Sequence, residues 1–305
     1  MEWRVIPNTS LRVSTLCLGT MTFGTPVGEA EAIRLTRHAL EHGINFIDTA
    51  NMYEGYARFV GSPGGVAEEI LGKVLKGTRL PVFLATKVGM KIGPADDDQG
   101  LSRAHILREI DRSLHRLGRE YVDLYYMHKP DPAVPPAESI QTFHELIGVG
   151  KVRHWGVSNI TAEQLADTLR ICDENGWLRP VAIQPAYSLL KRDIEKDLLP
   201  LCQREQIAVI PYQVLQGGML TGKYHRWQEV PKDSRQIEKP EWTMALTDEN
   251  FDLLERVEAE AKAKDRSLLE HSLKTLLEQP AVVSLIVGVK RVEQLDDLIA
   301  AVEAG

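Results

Sequence analysis

The chain has 305 residues, of which 43% are hydrophobic and 26% charged, a composition ordinary for a folded globular protein. Its net charge of −7 argues against a nucleic-acid surface, which usually appears as a basic domain, so no nucleic-acid partner is expected. No apolar run approaches the roughly 18 residues that a membrane span requires, and the N-terminus lacks the apolar stretch of a signal peptide. We therefore expect a cytoplasmic protein without membrane contact. Three widely separated cysteines, Cys17, Cys172 and Cys202, predict buried free thiols in a reducing compartment.

Short apolar segments alternate with amphipathic segments along nearly the whole chain. The predicted strands are residues 15–18, 44–47, 81–85, 122–127, 152–157, 181–183, 207–211 and 282–287. The predicted helices are residues 29–42, 66–76, 103–117, 137–147, 161–174, 194–205, 248–264, 267–278 and 291–303. Strands that are apolar throughout are typical of a parallel sheet covered on both faces, and eight strand–helix units favour closure into a (β/α)8 TIM barrel. We predict a single domain over residues 1–305.

Three segments fall outside the eight repeating units. Residues 3–13 predict an N-terminal hairpin that turns at Pro7-Asn8 and covers the barrel floor. Residues 213–247 form a long mixed segment, and segments of this length are often functional lids. Two helices in succession, 248–264 and 267–278, precede the last strand, so one of them is extra to the barrel.

Polar and titratable residues directly follow the apolar strands, and barrel enzymes carry their active sites at the C-terminal ends of the strands. In strand order these residues are Asp48 and Tyr53, Lys87, His128 and Lys129, Ser158 and Asn159, Gln184, Tyr212, and the group Gly288, Lys290 and Arg291. We expect them to converge at one face of the barrel.

Four of these side chains suggest one chemistry. Tyrosine has a pKa near 10, and a neighbouring ammonium such as Lys87 is expected to lower the pKa of Tyr53. Asp48 would pair with Lys87, while His128 would hydrogen-bond a carbonyl oxygen that gains charge as Tyr53 donates its proton. A proton donor without a nucleophile needs a reductant, which indicates a bound hydride carrier. The chain has no GxGxxG after its first strand, no P-loop and no HExxH, and no metal site is predicted.

Longer motifs extend this pattern over nearly the whole chain. They are residues 18–24 (LGTMTFG), 46–50 (FIDTA) with Tyr53, 68–72 (EEILG), 85–87 (ATK), 113–128, 150–159, 220–224 (LTGKY) and 293–295. In this order and spacing they resemble the aldo-keto reductase family, in the branch that includes bacterial general stress reductases and potassium-channel β subunits.

The resemblance implies an NADP-dependent aldo-keto reductase that reduces aldehydes or ketones, including sugar-like ones, with a catalytic tetrad of Asp48, Tyr53, Lys87 and His128. The implied cofactor is NADPH, with NADH as an alternative, and its implied contacts are Gly19, Thr20, Ser158, Asn159, Gln184, Tyr212, Leu215, Gly217, Lys223, Gly288, Lys290, Arg291 and Gln294. Among these, Tyr212 would stack on the nicotinamide ring, and Lys290 would meet the 2′-phosphate. Met21, Phe23 and Lys129 are the candidate substrate-pocket residues.

Other functions stay open at this point. Gln213, Val214 and Leu298 depart from the family pattern, so the choice between NADP and NAD is not decided. A regulatory, cofactor-binding subunit with little turnover is the main alternative. A barrel aldolase with Lys87 as its Schiff-base residue is a further one, although it gives no role to the implied carboxamide contacts Ser158, Asn159 and Gln184. The physiological substrate, the preferred reaction direction and the oligomeric state do not follow from the sequence.

Overall fold

The computed structural model describes residues 1–304 as alternating strands and helices. The strands are β1 (Trp3–Val5), β2 (Arg12–Ser14), β3 (Leu16–Gly19), β4 (Phe46–Asp48), β5 (Phe83–Val88), β6 (Val122–Met127), β7 (Val152–Ser158), β8 (Ala182–Gln184), β9 (Ala208–Val209) and β10 (Leu285–Val287). The helices are α1 (Glu29–Glu41), α2 (Val66–Leu75), α3 (Arg103–Leu117), α4 (Pro136–Gly148), α5 (Ala162–Asn175), α6 (Leu198–Glu205), α7 (Arg235–Glu238), α8 (Asp248–Ala263), α9 (Leu268–Leu277) and α10 (Val292–Glu303).

Strands β3 to β10 form one parallel sheet in the order β10-β3-β4-β5-β6-β7-β8-β9. The two outer strands of this order meet: the backbone N–H of Val283 donates to the Val209 carbonyl at 3.0 Å, and the N–H of Ile286 donates to the Pro211 carbonyl at 3.0 Å. The sheet therefore closes on itself, which confirms the predicted (β/α)8 barrel.

The N-terminal hairpin also forms as predicted. Strands β1 and β2 pair antiparallel, and Asn8 lies in the turn with a φ of 60°, a conformation that asparagine tolerates better than most residues. Ile6, Leu11 and Val13 are buried and pack with side chains of the barrel interior. The Arg4 side chain donates to two carbonyls at the N-terminal side of β10, so the hairpin covers the barrel floor.

Successive residues of the strands alternate between two core layers. Cys17, for example, packs inside the barrel with Phe46 and Tyr126, whereas its neighbours Leu16 and Leu18 pack outward against the helices. This alternation follows from the pleat of a strand, and it makes the barrel a filled core rather than a pore.

The three cysteines are free and buried. Burial raises the pKa of Cys172 and of Cys202 to about 12, and it also raises the pKa of Cys17. All three therefore remain neutral thiols inside the core, which confirms that they are buried free thiols.

Several predicted boundaries differ from the structure by a few residues, and two of these differences have a clear physical reason. Helix α6 begins at Leu198 instead of Ile194, because the Asp197 side chain accepts a hydrogen bond from the Leu198 N–H and starts the helix there. The seventh barrel strand shortens to Ala208–Val209, and Pro211, near its end, has no N–H to donate to a ladder.

Of the two helices before β10, α8 is the extra one. Helix α9 packs against α10 and thereby joins the ring around the barrel, whereas α8 packs mainly on α9. Within residues 1–304, no helix combines the length and apolar character needed to cross a bilayer.

A buried carboxylate joins α2, α3 and β5. Glu68 is fully buried, accepts from the Thr86 hydroxyl at 2.6 Å, and pairs with Arg116, whose Nε lies 2.7 Å from the carboxylate. The Arg116 side chain is only 15% exposed, so solvent screens this pair weakly.

Replacing Arg116 should test how much the fold depends on this pair. The substitution Arg116→Met leaves the Glu68 charge buried without its cation, and we expect a loss of about 3–5 kcal/mol in the free energy of unfolding. Chemical denaturation followed by circular dichroism measures it. Arg170→Met, which removes an exposed pair with Glu174, should change little. Equal stability of the Arg116 variant and the native protein would contradict the expectation.

Candidate active site

The barrel strands bring the four predicted catalytic residues to one end of the sheet. Asp48 is the last residue of β4, Lys87 lies near the end of β5, and His128 directly follows β6. Strands β5 and β6 pair in register with Lys87 opposite Tyr126, so these strands end at the same level. Tyr53 enters from the loop after β4, where its backbone N–H bonds the Ala50 carbonyl.

Lys87 makes three hydrogen bonds in a site closed to solvent. Its ammonium donates to Asp48 Oδ1 at 2.5 Å, to the Thr49 carbonyl at 2.8 Å and to the Tyr53 hydroxyl at 3.2 Å. An ammonium has three protons, so all its donors are used. Lys87 is fully buried and Asp48 is 2% exposed. The three bonds fix the position of the ammonium against Tyr53.

The charges of this pair depend on each other. Burial, the largest single effect, would by itself lower the pKa of Lys87, but Asp48 and Tyr53 together outweigh it and hold that pKa above its usual value. Burial raises the pKa of Asp48, while Lys87 and a hydrogen bond from Gln184 act in the opposite direction. Lys87 therefore stays a cation at neutral pH.

The expected lowering of the Tyr53 pKa is wrong in this structure. Burial raises the pKa of Tyr53, and the Lys87 ammonium opposes the rise without cancelling it. The physical reason is that a phenolate loses more hydration in this pocket than one ammonium returns. Tyr53 is consequently a neutral phenol at physiological pH, with a proton available for donation.

His128 lies beside Tyr53. The two rings meet edge to face, with centroids 6.0 Å apart and planes at 80°. Burial, followed by repulsion from Lys87, Arg58 and Lys129, holds the pKa of His128 well below its usual value. Its Nδ1 is buried and has no hydrogen-bond partner within residues 1–304. A neutral imidazole here carries one N–H donor, on a ring that lies beside the Tyr53 ring.

The amide-bearing residues form a chain of hydrogen bonds beside the tetrad. Ser158 donates to the Gln184 carbonyl at 2.7 Å, and the Tyr212 hydroxyl donates to Asn159 Oδ1 at 2.7 Å. Asn159 Nδ2 donates to the His128 carbonyl at 2.8 Å, and Gln184 Nε2 donates to Asp48 Oδ2 at 2.8 Å. Gln184 thus contacts the Asp48 carboxylate itself, a contact that sequence analysis did not predict.

The first and eighth barrel strands place the glycine-containing part of the site. Thr20 is buried and bonds the Asp48 carbonyl through both its N–H and its hydroxyl, each at 3.0 Å. Gly19 packs tightly against β10, since an added methyl group would lie 2.7 Å from the Ile286 side chain. A methyl group added to Gly288 would lie 4.0 Å from the Arg235 guanidinium. The strand ends and residues 231–243 therefore meet at this edge.

The predicted loop residues lie next to that edge. Leu215 is half-buried against the core and precedes a turn at Gln216–Thr221, in which Gly217 has a φ of 66°. The Lys223 side chain lies against Gly218, where an added methyl group would come within 2.7 Å of its ammonium. The Gln294 side chain, in the first turn of α10, accepts a hydrogen bond from the Lys290 backbone N–H at 2.8 Å.

Residues 231–243 bring to the site a cation, Arg235, that could not be predicted from the ends of the strands. Arg235 donates to the Tyr56 hydroxyl at 3.1 Å, and the Lys290 ammonium lies 5.9 Å from the Tyr56 ring. The sequence predicts a functional lid in this long segment. It does not identify Arg235, because Arg235 does not follow a strand.

Two carboxylates from the same segment pair with the predicted cations. Lys290 bonds the Asp233 carbonyl at 2.8 Å and pairs with Glu238, and Arg291 donates to Asp233 Oδ2 at 3.0 Å. Partial loss of hydration, followed by repulsion from Lys290, lowers the pKa of Lys223. Of the four neighbouring cations, Lys290 and Arg291 pair with these carboxylates, whereas Lys223 and Arg235 have no ion-pair partner within residues 1–304. An anion placed among the four would be stabilised.

The three substrate-pocket candidates lie in different environments. Phe23 is fully buried in the outer core, Met21 is half-buried, and Lys129 is exposed directly after His128. The structure therefore leaves Met21 and Lys129, but not Phe23, with surface that a small molecule can contact.

Comparisons with known proteins agree with this geometry. The Aldo/keto reductase family model matches residues 15–304. The chain is 33% identical to the aldo-keto reductase YhdN of Bacillus subtilis, covering 98% of this chain and 88% of the relative. It is 30% identical to a probable voltage-gated potassium channel subunit beta of Arabidopsis thaliana, covering 99% and 92%.

A solved structure shares the architecture. The aldo-keto reductase AKR11C1 from Bacillus halodurans, in its holo form, superimposes with a TM-score of 0.80 at 28% identity, covering 100% of this chain and 92% of that one. Fold, strand-end residues and family match agree, and we conclude that the chain belongs to the aldo-keto reductase family, as an oxidoreductase of carbonyl compounds.

Proposed function

We propose that the protein is a cytoplasmic, NADP(H)-dependent reductase of small aldehydes or ketones, with Tyr53 as the proton donor. One observation carries this proposal: the Lys87 ammonium bonds both Asp48 and the Tyr53 hydroxyl inside a buried site at the C-terminal end of the barrel. A neighbouring cation stabilises the phenolate that forms when the phenol donates its proton to a bound carbonyl oxygen.

The proton transfer follows from these contacts. A carbonyl oxygen placed between Tyr53 and His128 would accept the phenolic proton as it gains negative charge. The phenolate left behind would lie 3.2 Å from the Lys87 ammonium, whose own charge Asp48 maintains. The neutral His128 would donate its N–H to the same oxygen and orient the substrate. When bound, the reduced nicotinamide cofactor supplies the hydride for the carbonyl carbon.

The described residues fit such a cofactor. Ser158, Asn159 and Gln184 offer hydroxyl and amide groups beside the tetrad, which suits a carboxamide. The cations around β10 and residues 231–243 suit phosphate groups. Burial and then repulsion from Lys290 lower the pKa of Lys223, and a bound anion would relieve the repulsion. We propose that Lys223, Arg235, Lys290 and Arg291 contact the phosphates and favour NADPH over NADH.

A regulatory subunit with little turnover is the second candidate, because the chain is similar over nearly its full length to a probable channel subunit beta. The two functions differ in turnover, not in cofactor binding. A panel of aldehydes and ketones, monitored by loss of NADPH absorbance, should show turnover for the reductase. Complete inactivity with tight cofactor binding would favour the subunit.

Removal of the Tyr53 hydroxyl should separate binding from chemistry. The variant Tyr53→Phe keeps the ring but has no proton to donate, so we expect unchanged NADPH affinity and a kcat lower by about 10²- to 10⁴-fold. Fluorescence titration and steady-state kinetics measure the two quantities. Tyr121→Phe is the matched control, at an exposed tyrosine that directly precedes β6 at the opposite end of the barrel. Turnover of Tyr53→Phe near that of the native protein would exclude Tyr53 as the donor.

The pH dependence of carbonyl reduction should follow the raised pKa of Tyr53. Since the donor stays protonated until the pH exceeds about 10, kcat should be flat through neutral pH and fall only in alkaline solution. His128, whose pKa is lowered, should add no transition near its ordinary value of 6.5. The measurement is kcat at saturating cofactor against pH. A midpoint between pH 6 and 8 would contradict these assignments.

The cation cluster should set the cofactor preference. The double variant Lys290→Ala, Arg291→Ala removes two charge-assisted contacts, and we expect NADPH affinity to fall about 10- to 100-fold with a smaller effect on NADH. Glu238→Gln, which frees Lys290 from its carboxylate partner, should strengthen NADPH binding. Fluorescence titration with both cofactors measures this. Equal losses for NADPH and NADH would show that these residues do not recognise the 2′-phosphate.

A further inference from the structure

Helices α1 and α10, the first and last of the ring, pack against each other. His38 lies near the end of α1 and His42 directly follows the helix, so the two residues are four apart and share one face. Asp296 lies on α10 opposite them. The seam between the two helices thus carries two imidazoles and one carboxylate.

The three side chains already touch. His38 Nε2 lies 2.6 Å from Asp296 Oδ1, and the two imidazole centroids are 4.0 Å apart. One potential ligand atom from each residue can be chosen so that all three atoms lie within 4.8 Å of one another. Among residues 1–304, this is the one group of three histidine, cysteine or acidic side chains with such spacing.

The backbone prepares one of the imidazoles for ligation. His42 Nδ1 lies 2.9 Å from the His38 carbonyl oxygen, which can only accept a hydrogen bond. The proton of neutral His42 therefore lies on Nδ1, and Nε2 carries the free electron pair. Histidines that bind metals in proteins are usually oriented by such a bond from the nitrogen that does not bind.

We propose that His38, His42 and Asp296 form a Zn²⁺ site that joins α1 to α10. Two imidazole nitrogens and a carboxylate oxygen are a ligand set that zinc accepts and that magnesium and calcium do not favour. Zinc replaces the proton shared between His38 and Asp296, and a water molecule completes the four ligands. Zinc–nitrogen distances of about 2.0–2.1 Å require ligand atoms about 3.3 Å apart. The side chains reach this by rotation, since Asp296 is half exposed and His38 keeps contact with solvent.

The proposal is independent of the proposed function, because none of the three side chains belongs to the tetrad or to the proposed cofactor contacts. Zinc that binds only the folded protein raises its free energy of unfolding. Well above the dissociation constant, the increase grows with the logarithm of the zinc concentration. The site holds the last helix of the ring against the first, where nothing covalent joins them.

Isothermal titration calorimetry with Zn²⁺ alone, on protein freed of metal by a chelator, tests the site. We expect one equivalent to bind the native protein, and the affinity to fall more than about 10-fold in His42→Gln and in Asp296→Asn. His115→Gln is the matched control at an exposed histidine on α3, and it should bind as the native protein does.

Thermal unfolding supplies a second readout that does not use activity. Zinc should raise the unfolding midpoint of the native protein and of His115→Gln, and should leave that of His42→Gln unchanged. Two results would overturn the proposal: no zinc binding by the native protein, or binding of equal strength in His42→Gln and Asp296→Asn. The second result would place the metal elsewhere, for example at His128.

Discussion

The active site depends on one buried ammonium. Lys87 has no contact with solvent. Its charge persists only because Asp48, the Thr49 carbonyl and the Tyr53 hydroxyl each accept a hydrogen bond from the ammonium. The barrel supplies this arrangement, since Asp48 and Lys87 end neighbouring parallel strands. Removal of either charge would leave the other unpaired in the core, so the stability of the barrel rim and its chemistry rest on the same interaction.

Much of this could be predicted from the sequence. The eight strands could be predicted as apolar runs because both faces of a barrel strand are buried. The helices could be predicted because Ser102, Thr161 and several glycines mark their ends. The convergence of Asp48, Lys87 and His128 followed from barrel geometry. The pKa of Tyr53 was predicted in the wrong direction, because a sequence shows neighbouring charges but not how thoroughly the fold removes water from a phenol.

Features that join distant parts of the chain were harder to predict. Arg235 reaches the edge of β10 from a segment that follows no strand, and its partner Tyr56 lies 179 residues away. The zinc proposal has the same origin: His38 and His42 are visible as a pair, but Asp296 is 258 residues from His38, so no motif spacing includes it. Gln184 could be predicted at the site, but not its bond to Asp48, which depends on side-chain direction inside the rim.

The hairpin beneath the barrel determines how ligands reach the site. Ile6, Leu11 and Val13 fill the floor, and the interior above them is packed with side chains, so the barrel offers no passage from end to end. Everything that reaches Tyr53 must enter and leave by the same mouth. A cofactor bound across that mouth, as proposed above, would form one wall of the space left for the substrate.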